Sequence, residues 1–316
     1  MIKSGSVSII IPFKEYNEFV KECIEGCKSL DYHDFEIILL PDHSIGDIEG
    51  VKIVPTGEET PGRKRNIGVT HARGEYCAFI DDDAYPRGDW LRNAIKSFSD
   101  PEVAATGGPG ITPLNDNLMQ NASGYILSSF MVGGLSSRYD EKKAKISDDI
   151  HSCNFITRKS VVEEVLWNEK YWPGEDTLMC RGINGLGKKM LEDPNVVIYH
   201  HRRPLFIPHL RQLSRFGMHR GFFAKKFPEN SLKLTYFIPS LLVLLLVVGS
   251  VLSYFYPSFR MILFGMISIY IGLAFVSAFL SRDIKMILPV LFGTILTHLT
   301  YGVYFLVGLC KKELVR

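Results

Sequence analysis

The chain has 316 residues, a formal net charge of +2 and a hydrophobic fraction of 46%. This length fits one large domain or two smaller ones, and the near-balanced charge argues against a nucleic-acid-binding protein. The apolar residues are concentrated after position 234, which predicts a membrane segment at the C-terminal end.

Before residue 200, strand-like and helix-like segments alternate. Residues 17–30 have apolar side chains at helical spacing, which predicts a helix there, and a second helix is predicted to begin near Ser160. Strands are predicted at 7–11, 35–40, 51–55, 76–80 and 195–201. This alternation predicts an α/β domain with a mostly parallel sheet flanked by helices. A Rossmann or P-loop glycine motif is absent from the sequence.

Acidic side chains follow several predicted strands, at the sheet edge where ligands of parallel sheets bind. They are Glu15, Asp42 and the triplet Asp81, Asp82 and Asp83. Carboxylates grouped there can hold Mg²⁺ or Mn²⁺ through oxygen, while a solvated acidic turn is the alternative interpretation.

A second polar group lies further along the chain. Glu175 and Asp176 stand at a predicted helix start, where acids also serve as helix caps. Trp172, just before them, offers a flat apolar surface suited to a sugar. Either of the paired histidines that end the strand at 195–201, His200 or His201, could ligate a metal, and a structural or interfacial role is the alternative.

The six cysteines form no C-x-x-C pair, which predicts ordinary thiols in a reducing compartment. The first residues contain no signal-peptide pattern, so we expect the first part of the chain to stay in the cytosol.

Three apolar blocks, at 234–256, 259–280 and 286–310, are each close to the length that a helix needs to cross a bilayer. A basic tract precedes them, and by the positive-inside rule it keeps residues 1–233 cytoplasmic. Arg282 and Lys285 fit this orientation. The basic tail at 311–316 does not, because three crossings place it outside; either one block is re-entrant or the upstream charges dominate.

Within the basic tract, residues 208–227 form an amphipathic helix pattern. Leu213 and Phe223 lie on its apolar side and Arg215 on its basic side. We expect this helix to lie among the lipid headgroups, with its cations near phosphates. The domains predicted are therefore a cytosolic catalytic domain at 1–200, a membrane-interface segment at 201–233 and a transmembrane domain at 234–316.

Six stretches in order resemble the motifs of membrane-anchored family 2 glycosyltransferases of the GT-A fold. They are VSIIIPFKEYNE, the strand-end Asp42, RNIGVTHARGEYCAFIDDDAYP, SCNFITRKSVVEEV, GEDTLMC and RQLSRF. The resemblance implies a GT-A sheet, an interfacial helix, C-terminal transmembrane helices and inverting transfer of a sugar from a nucleotide-diphosphate sugar, with Mg²⁺ or Mn²⁺.

The same resemblance implies roles for individual residues. Donor binding is assigned to Pro12, Glu15, Asp42, Arg65, Asn66, Asp81, Asp82, Gln212 and Arg215. Metal binding is assigned to Asp83 and Asp81 (with His201 a candidate), general-base catalysis to Asp176 beside Glu175, and acceptor binding to Trp172 and Phe216. Phe216 stands where the family motif Q-x-x-R-W has Trp, and PDHS replaces the usual DDGS around Asp42.

The expected acceptor is a lipid-linked or surface saccharide at the cytoplasmic face of the plasma membrane, in contact with phospholipid. A polyprenyl-phosphate glycosyl synthase and a processive polysaccharide synthase are the alternative transferases. A nucleotide-sugar-binding scaffold and a metal-dependent phosphohydrolase are alternatives of other classes. The segment 115–145 is expected to shape the acceptor site or to touch the bilayer.

Overall fold

A computed structural model describes residues 5–132 and 143–314 of the protein; residues 133–142, within the 115–145 segment, lie outside the described part. The chain forms two compact units. The first comprises the described residues of Met1–Ile111 and Arg138–His201, and the second those of Thr112–Ser137 and Arg202–Arg316. Residues 112–132 thus belong with the C-terminal unit, whereas the sequence-based division assigned them to the catalytic domain.

The first unit is built on a mixed sheet with the order β3-β2-β1-β4-β9-β6-β10-β8. Strands β1 to β4 pair in parallel, and β9 is antiparallel to both of its neighbours. The strands are β1 (Val7–Pro12), β2 (Phe35–Leu40), β3 (Lys52–Ile53), β4 (Tyr76–Ile80), β6 (Val103–Gly107), β8 (Lys145–Ser147), β9 (Asn154–Arg158) and β10 (Lys189–Glu192).

Helices cover both faces of this sheet, which explains why its central strands are apolar without alternation. In β1, Ile9 and Ile11 pack into one buried cluster while Ile10 packs into another. The helices are α1 (Glu18–Lys28), α2 (Pro61–His71), α3 (Trp90–Ser97), α5 (Lys159–Val165) and α6 (Glu175–Gly185); α4 belongs to the second unit. The predicted strands at the start of the chain and the helix near Ser160 are confirmed.

A smaller sheet of β5 (Ala84–Pro86), β11 (Ile198–His200) and β7 (Gly110–Ile111) lies beyond the end of β4. The buried amide of Asn154 ties it to the large sheet, donating to the carbonyls of Gly108 and Val196 and accepting from Trp90 Nε1. Because β5 follows the acidic triplet directly, this small sheet determines which side chains face the triplet.

The second unit is helical. Its helices are α4 (Leu118–Ser128), α7 (Ile207–Lys226), α8 (Pro228–Ser231), α9 (Leu234–Phe255), α10 (Pro257–Phe279) and α11 (Ile284–Cys310). The last three, of 22, 23 and 27 residues, are long and apolar enough to cross a membrane. The predicted C-terminal apolar helices are therefore confirmed.

Helix α7 packs along α11 through glycines. Gly217 faces the carbonyl of Tyr301, and a Cβ there would lie 2.7 Å from that oxygen. A Cβ at Gly221 would overlap the carbonyl oxygen of Phe305. Leu213 and Phe223, which the sequence pattern places on the lipid side of the helix, are buried in protein. Part of the apolar side of α7 thus contacts protein instead of lipid.

This close packing predicts the effect of one added methyl group. We expect Gly221→Ala to reduce the free energy of unfolding by about 1–3 kcal/mol, because the two backbones must separate. The measurement is denaturant unfolding of the detergent-solubilised chain. Gly265→Ala on α10, whose added Cβ meets no atom within 4 Å, is the matched control and should be neutral. Equal stability of the two variants would contradict the packing.

Candidate active site

The acidic triplet begins where β4 leaves the sheet. All five residues of β4 are buried, and Asp81, Asp82 and Asp83 follow in a turn in which the amide of Ala84 donates to the carbonyl of Asp81. The side chains of Asp81 and Asp83 are about one-third exposed. The predicted position of the triplet, at the carboxyl end of a buried strand, is therefore observed.

One buried cation joins this triplet to the second acidic group. The Arg65 guanidinium is 2% exposed; its Nη2 lies 2.8 Å from Asp81 Oδ1, and its Nη1 lies 2.8 Å from Glu175 Oε1. Nη2 also donates to Ser152 Oγ at 3.2 Å, and the guanidinium carbon stacks 4.9 Å from the centre of the Trp167 ring. Two segments separated by more than ninety residues thus meet at one side chain.

The carboxyl groups around Arg65 titrate abnormally. Burial, together with the charges of Asp83 and Asp81, raises the pKa of Asp82 to about 7. Burial also raises the pKa of Asp81, although Arg65 opposes this. The pKa of Glu175 rises to about 7 because burial outweighs the stabilising charge of Arg65. An added cation near the triplet would favour the charged forms of its carboxyl groups.

Glu175 and Asp176 open helix α6. Gly174 precedes them with φ 112°, a left-handed conformation that side-chain-bearing residues rarely adopt. Glu175 turns inward to Arg65, while Asp176 is half-buried and one of its oxygens accepts the Thr177 amide at 2.8 Å. The Asp176 side chain thus accepts one of the backbone amides at the start of α6 that have no partner within the helix.

Of the paired histidines, it is His200 that reaches the triplet. Its Nε2 lies 3.0 Å from Asp83 Oδ1, because the register of the small sheet sets His200 opposite Ala84. The ring of His201 instead lies 2.8 Å from Glu22 Oε2, and its backbone amide donates to the carbonyl of Asp83. The histidine whose ring lies beside Asp83 is therefore His200 and not the selected His201.

The predicted nucleoside-binding residues lie at the ends of β1 and β2. Pro12 is buried at the end of β1, Glu15 is exposed just beyond it, and Asp42 follows β2. Asp42 pairs with Lys64, which also donates to the carbonyl of Leu40 at 3.1 Å. Burial lowers the pKa of Lys64, although its pairing with Asp42 opposes the shift.

The remaining predicted residues lie in different surroundings. Asn66 exchanges hydrogen bonds with the backbone of Trp167, which it supports beside Arg65. Trp172 is exposed just before α6. Gln212, Arg215 and Phe216 lie on α7 in the second unit, where Arg215 is exposed and the other two are half-buried.

The residues that could hold a divalent cation are Asp81, Asp83 and His200, which offer oxygen and imidazole ligands. Within residues 5–132 and 143–314 there is no group of three His, Cys, Asp or Glu side chains arranged to enclose a metal ion by themselves. Mg²⁺ and Mn²⁺ sites that serve phosphate ligands are commonly completed by those phosphates and by water. The side chains at the triplet fit a site of this shared kind.

Sequence reasoning missed Lys64, Ser152 and Trp167, and of the two histidines it selected His201 instead of His200. Lys64 and Arg65 are adjacent in α2, and their burial contradicts the usual exposure of basic residues. The sequence pattern that could have indicated this burial is the pair of cations between Gly62 and Gly68 in an otherwise weakly apolar helix. Ser152 and Trp167 gave none, since their contacts with Arg65 arise only in the folded chain.

The Arg65 network predicts an unequal effect of two neighbouring arginines. Arg65→Leu should destabilise the protein by about 3–5 kcal/mol, since it leaves the Asp81 and Glu175 carboxylates without their buried partner. The Arg63 side chain, two residues away, is 52% exposed and forms surface ion pairs. Arg63→Leu should therefore lower the free energy of unfolding by less than about 1 kcal/mol. Denaturant unfolding of both variants tests this, and similar losses would rule out a buried ion-pair network.

Comparisons with known proteins identify the family of the chain. Residues 8–166, about half of the chain, match the family model described as Glycosyl transferase family 2. The chain is 23% identical over 270 residues to a dolichyl N-acetyl-alpha-D-glucosaminyl phosphate 3-beta-D-2,3-diacetamido-2,3-dideoxy-beta-D-glucuronosyltransferase of Methanococcus voltae, covering 79% of this chain and 84% of that one. It is 24% identical over 190 residues to a GalNAc(5)-diNAcBac-PP-undecaprenol beta-1,3-glucosyltransferase of Campylobacter jejuni, covering 54% of this chain and 58% of that one.

Among solved structures, the chain resembles a mannosyltransferase from Pyrobaculum calidifontis in complex with GDP-Man and Mn²⁺. The TM-score is 0.65 at 16% sequence identity, with 98% of this chain and 88% of that one covered. This likeness confirms the predicted GT-A architecture with C-terminal apolar helices. From the family match and its motifs, the chain is a member of glycosyl transferase family 2.

Proposed function

We propose that the protein is an inverting glycosyltransferase that moves a sugar from a nucleotide-diphosphate sugar to a hydroxyl of a lipid-linked saccharide. The reaction is placed at the cytoplasmic face of the plasma membrane. The observation that carries the proposal is the Arg65 bridge, in which one guanidinium holds Asp81 of the acidic triplet and Glu175 beside Asp176. A donor-binding motif and a candidate base therefore share one buried charge network.

The activities named for the two relatives support a hydroxyl acceptor on a lipid-linked sugar. The Methanococcus relative acts on a dolichyl phosphate-linked sugar and the Campylobacter relative on an undecaprenol-linked saccharide, and both names specify transfer to position 3. A hydroxyl must lose its proton as it attacks, whereas a phosphate oxygen carries its charge already. A carboxylate at position 176 suits the first kind of acceptor.

Donor binding is divided between the strand ends and two other segments. Pro12, Glu15 and Asp42 contact the nucleoside, and Asp81 and Asp82 lie toward the diphosphate. Arg65 and Asn66 shape this region through their contacts with Asp81 and Trp167. Gln212 and Arg215 complete diphosphate binding, and Trp172 and Phe216 contact the acceptor.

Asp83 and Asp81 would hold a divalent cation, Mg²⁺ or Mn²⁺, with His200 in place of His201. The P. calidifontis mannosyltransferase was solved with Mn²⁺, which supports a cofactor of this class. When bound, such an ion neutralises the charge that develops on the leaving diphosphate. Asp81 is paired with the permanently charged Arg65, whereas the partner of Asp83 is an imidazole that can itself ligate a metal, so Asp83 would be the principal ligand.

The chemistry at the base follows from the surroundings of Asp176. The acceptor hydroxyl gives its proton to the Asp176 carboxylate while its oxygen forms the new bond to the anomeric carbon. The bond from that carbon to the phosphate oxygen breaks, and the nucleoside diphosphate leaves with the electron pair, so the configuration inverts. Arg65 balances Glu175, which limits the repulsion that a second anion would exert on Asp176.

The role of Asp176 predicts a selective loss. Asp176→Asn should reduce transfer by about 10²–10⁴-fold, since the amide cannot accept the proton, while nucleotide binding stays nearly unchanged. Transfer is measured with membranes, a panel of labelled nucleotide sugars and polyprenyl-linked saccharide acceptors; binding is measured by calorimetry. Asp31→Asn, an exposed acid in an ion pair with Arg92, is the control. A parallel loss of binding and transfer would make Asp176 a structural residue.

The metal assignment predicts that EDTA abolishes transfer and that Mn²⁺ or Mg²⁺ restores it. Asp83→Asn should weaken Mn²⁺ binding measured by electron paramagnetic resonance in the presence of a nucleoside diphosphate, because it removes a charged oxygen ligand. Asp100→Asn, a half-exposed acid before β6, serves as the control. Mn²⁺ affinity that is the same in all three proteins would refute the assignment.

A further inference from the structure

The third apolar helix, α11, differs from the other two. All three qualify by length and composition as membrane spans, but α11 is the least apolar and the most buried in protein. A bundle of three successive spans would place α11 alongside α10 in the opposite direction. The contacts within the second unit show a different path.

Helices α9 and α10 form an antiparallel hairpin. Gly249 packs against Leu263, and these residues are equally far along the chain from Tyr256, where the two helices join. The start of α9 and the end of α10 therefore lie at the same end of the hairpin. We call this the open end, defined as residues 234–243 and 270–279.

Helix α11 meets the open end along much of its length. The Ser240 hydroxyl donates to the carbonyl of Gly302 at 3.0 Å, and the rings of Phe237 and Phe305 are 4.8 Å apart. Gly302 lies about 27 Å along α11 from the first residue of that helix. If α11 were a third span that runs down the hairpin, Gly302 would therefore lie close to the turn at Tyr256. Instead, Gly302 meets the first turns of α9.

The part of α11 before Gly302 also meets the open end. The Tyr270 hydroxyl is 2.9 Å from His298 Nδ1, and Val290 shares a buried cluster with Ala278, about 12 Å further along α10. These contacts approach the turn as far as Tyr270, and those of Gly302 and Phe305 return to Ser240 and Phe237 near the start of α9. A span parallel to the hairpin would continue toward the turn, so α11 crosses the hairpin axis obliquely.

Charge supports the same orientation. Helix α7 runs parallel to α11, since His209 contacts Thr297 at 2.8 Å and Lys225 donates to the carbonyl of Leu309 at 2.9 Å. Its basic residues are Arg211, Arg215, Arg220, Lys225 and Lys226. If α11 spanned the bilayer, this neighbour would carry five cations through hydrocarbon, which is costly. Lying in the membrane plane, both helices keep these charges at headgroup level.

One face of α11 remains apolar and exposed, and it repeats at helical spacing. Its residues are Leu288, Phe292, Leu296, Val303 and Val307. At 3.6 residues per turn this face lies opposite the residues that contact α7. An in-plane helix buries such a stripe at the boundary of headgroups and acyl chains.

We propose that the chain crosses the membrane twice, through α9 and α10, and that α11 lies in the membrane interface with this stripe in the lipid. The tail then returns to the side from which α9 starts. Lys311 and Lys312 join Arg282, Lys285 and the cations of α7 on one side, in keeping with the positive-inside rule. This topology is independent of the sugar chemistry proposed above.

The native cysteines allow a direct test in the full-length chain. Cys310, at the end of α11, is exposed and the other five cysteines are buried. A membrane-impermeant maleimide is applied to cells before and after permeabilisation. In a Cys310→Ser background, Lys285→Cys reports the side between α10 and α11, and Ser258→Cys reports the turn of the hairpin. We expect the maleimide to label Cys310 and Lys285→Cys under the same condition, either before or after permeabilisation. Ser258→Cys should be labelled under the other condition.

Labelling of Cys310 together with Ser258→Cys would show that α11 spans the bilayer and would overturn the proposal. A second measurement gives depth: Leu296→Cys in the Cys310→Ser background carries a fluorophore in phosphatidylcholine vesicles. Residue 296 is near the middle of α11, so a span would place it at the bilayer centre. We expect stronger quenching by lipids brominated near the headgroup than near the chain end; the reverse order would also overturn the proposal.

Discussion

The first unit depends on the ion pairs of Arg65. A guanidinium that is almost fully buried is tolerable only because Asp81 and Glu175 both accept from it, and the inner carboxylate of Glu175 is tolerable for the same reason. Through this one side chain, α2, the end of β4 and the start of α6 take fixed relative positions. The Trp167 ring closes the remaining side. The polar network thus sets the separation between the acidic triplet and Asp176.

Local signals in the sequence were sufficient for the elements themselves. The apolar runs predicted β1, β2 and β4, and the position of Asp81 followed from the end of a run. Contacts between residues far apart in the chain could not be predicted from such local signals. That Arg65 selects Glu175, and that His200 instead of His201 reaches Asp83, depends on strand register and on contacts between segments far apart in the chain. Periodicity carries no information about such partners.

In the second unit, the composition of a helix shows whether it can contact lipid, whereas its packing against neighbouring helices determines its orientation. An apolar stretch of sufficient length indicates that a helix tolerates lipid, but direction relative to the bilayer depends on neighbours. The glycine contacts between α7 and α11 show this, since Gly217 and Gly221 let a strongly basic helix approach an apolar one closely. Residues 112–132 illustrate the same limit. Their grouping with the C-terminal helices follows from contacts such as Tyr125 to the Ser277 carbonyl, which no local pattern predicts.

The shared use of Asp81 affects how substitutions in the triplet should be interpreted. An inactive Asp81 variant has lost a partner of Arg65 as well as a carboxylate of the proposed donor site, so inactivity there reports on the integrity of the charged cluster. Asp83 bonds to His200 on the small sheet, and its replacement leaves both Arg65 ion pairs in place. Asp81 and Asp83 are therefore not equivalent reporters, and only a substitution of Asp83 separates ion binding from folding.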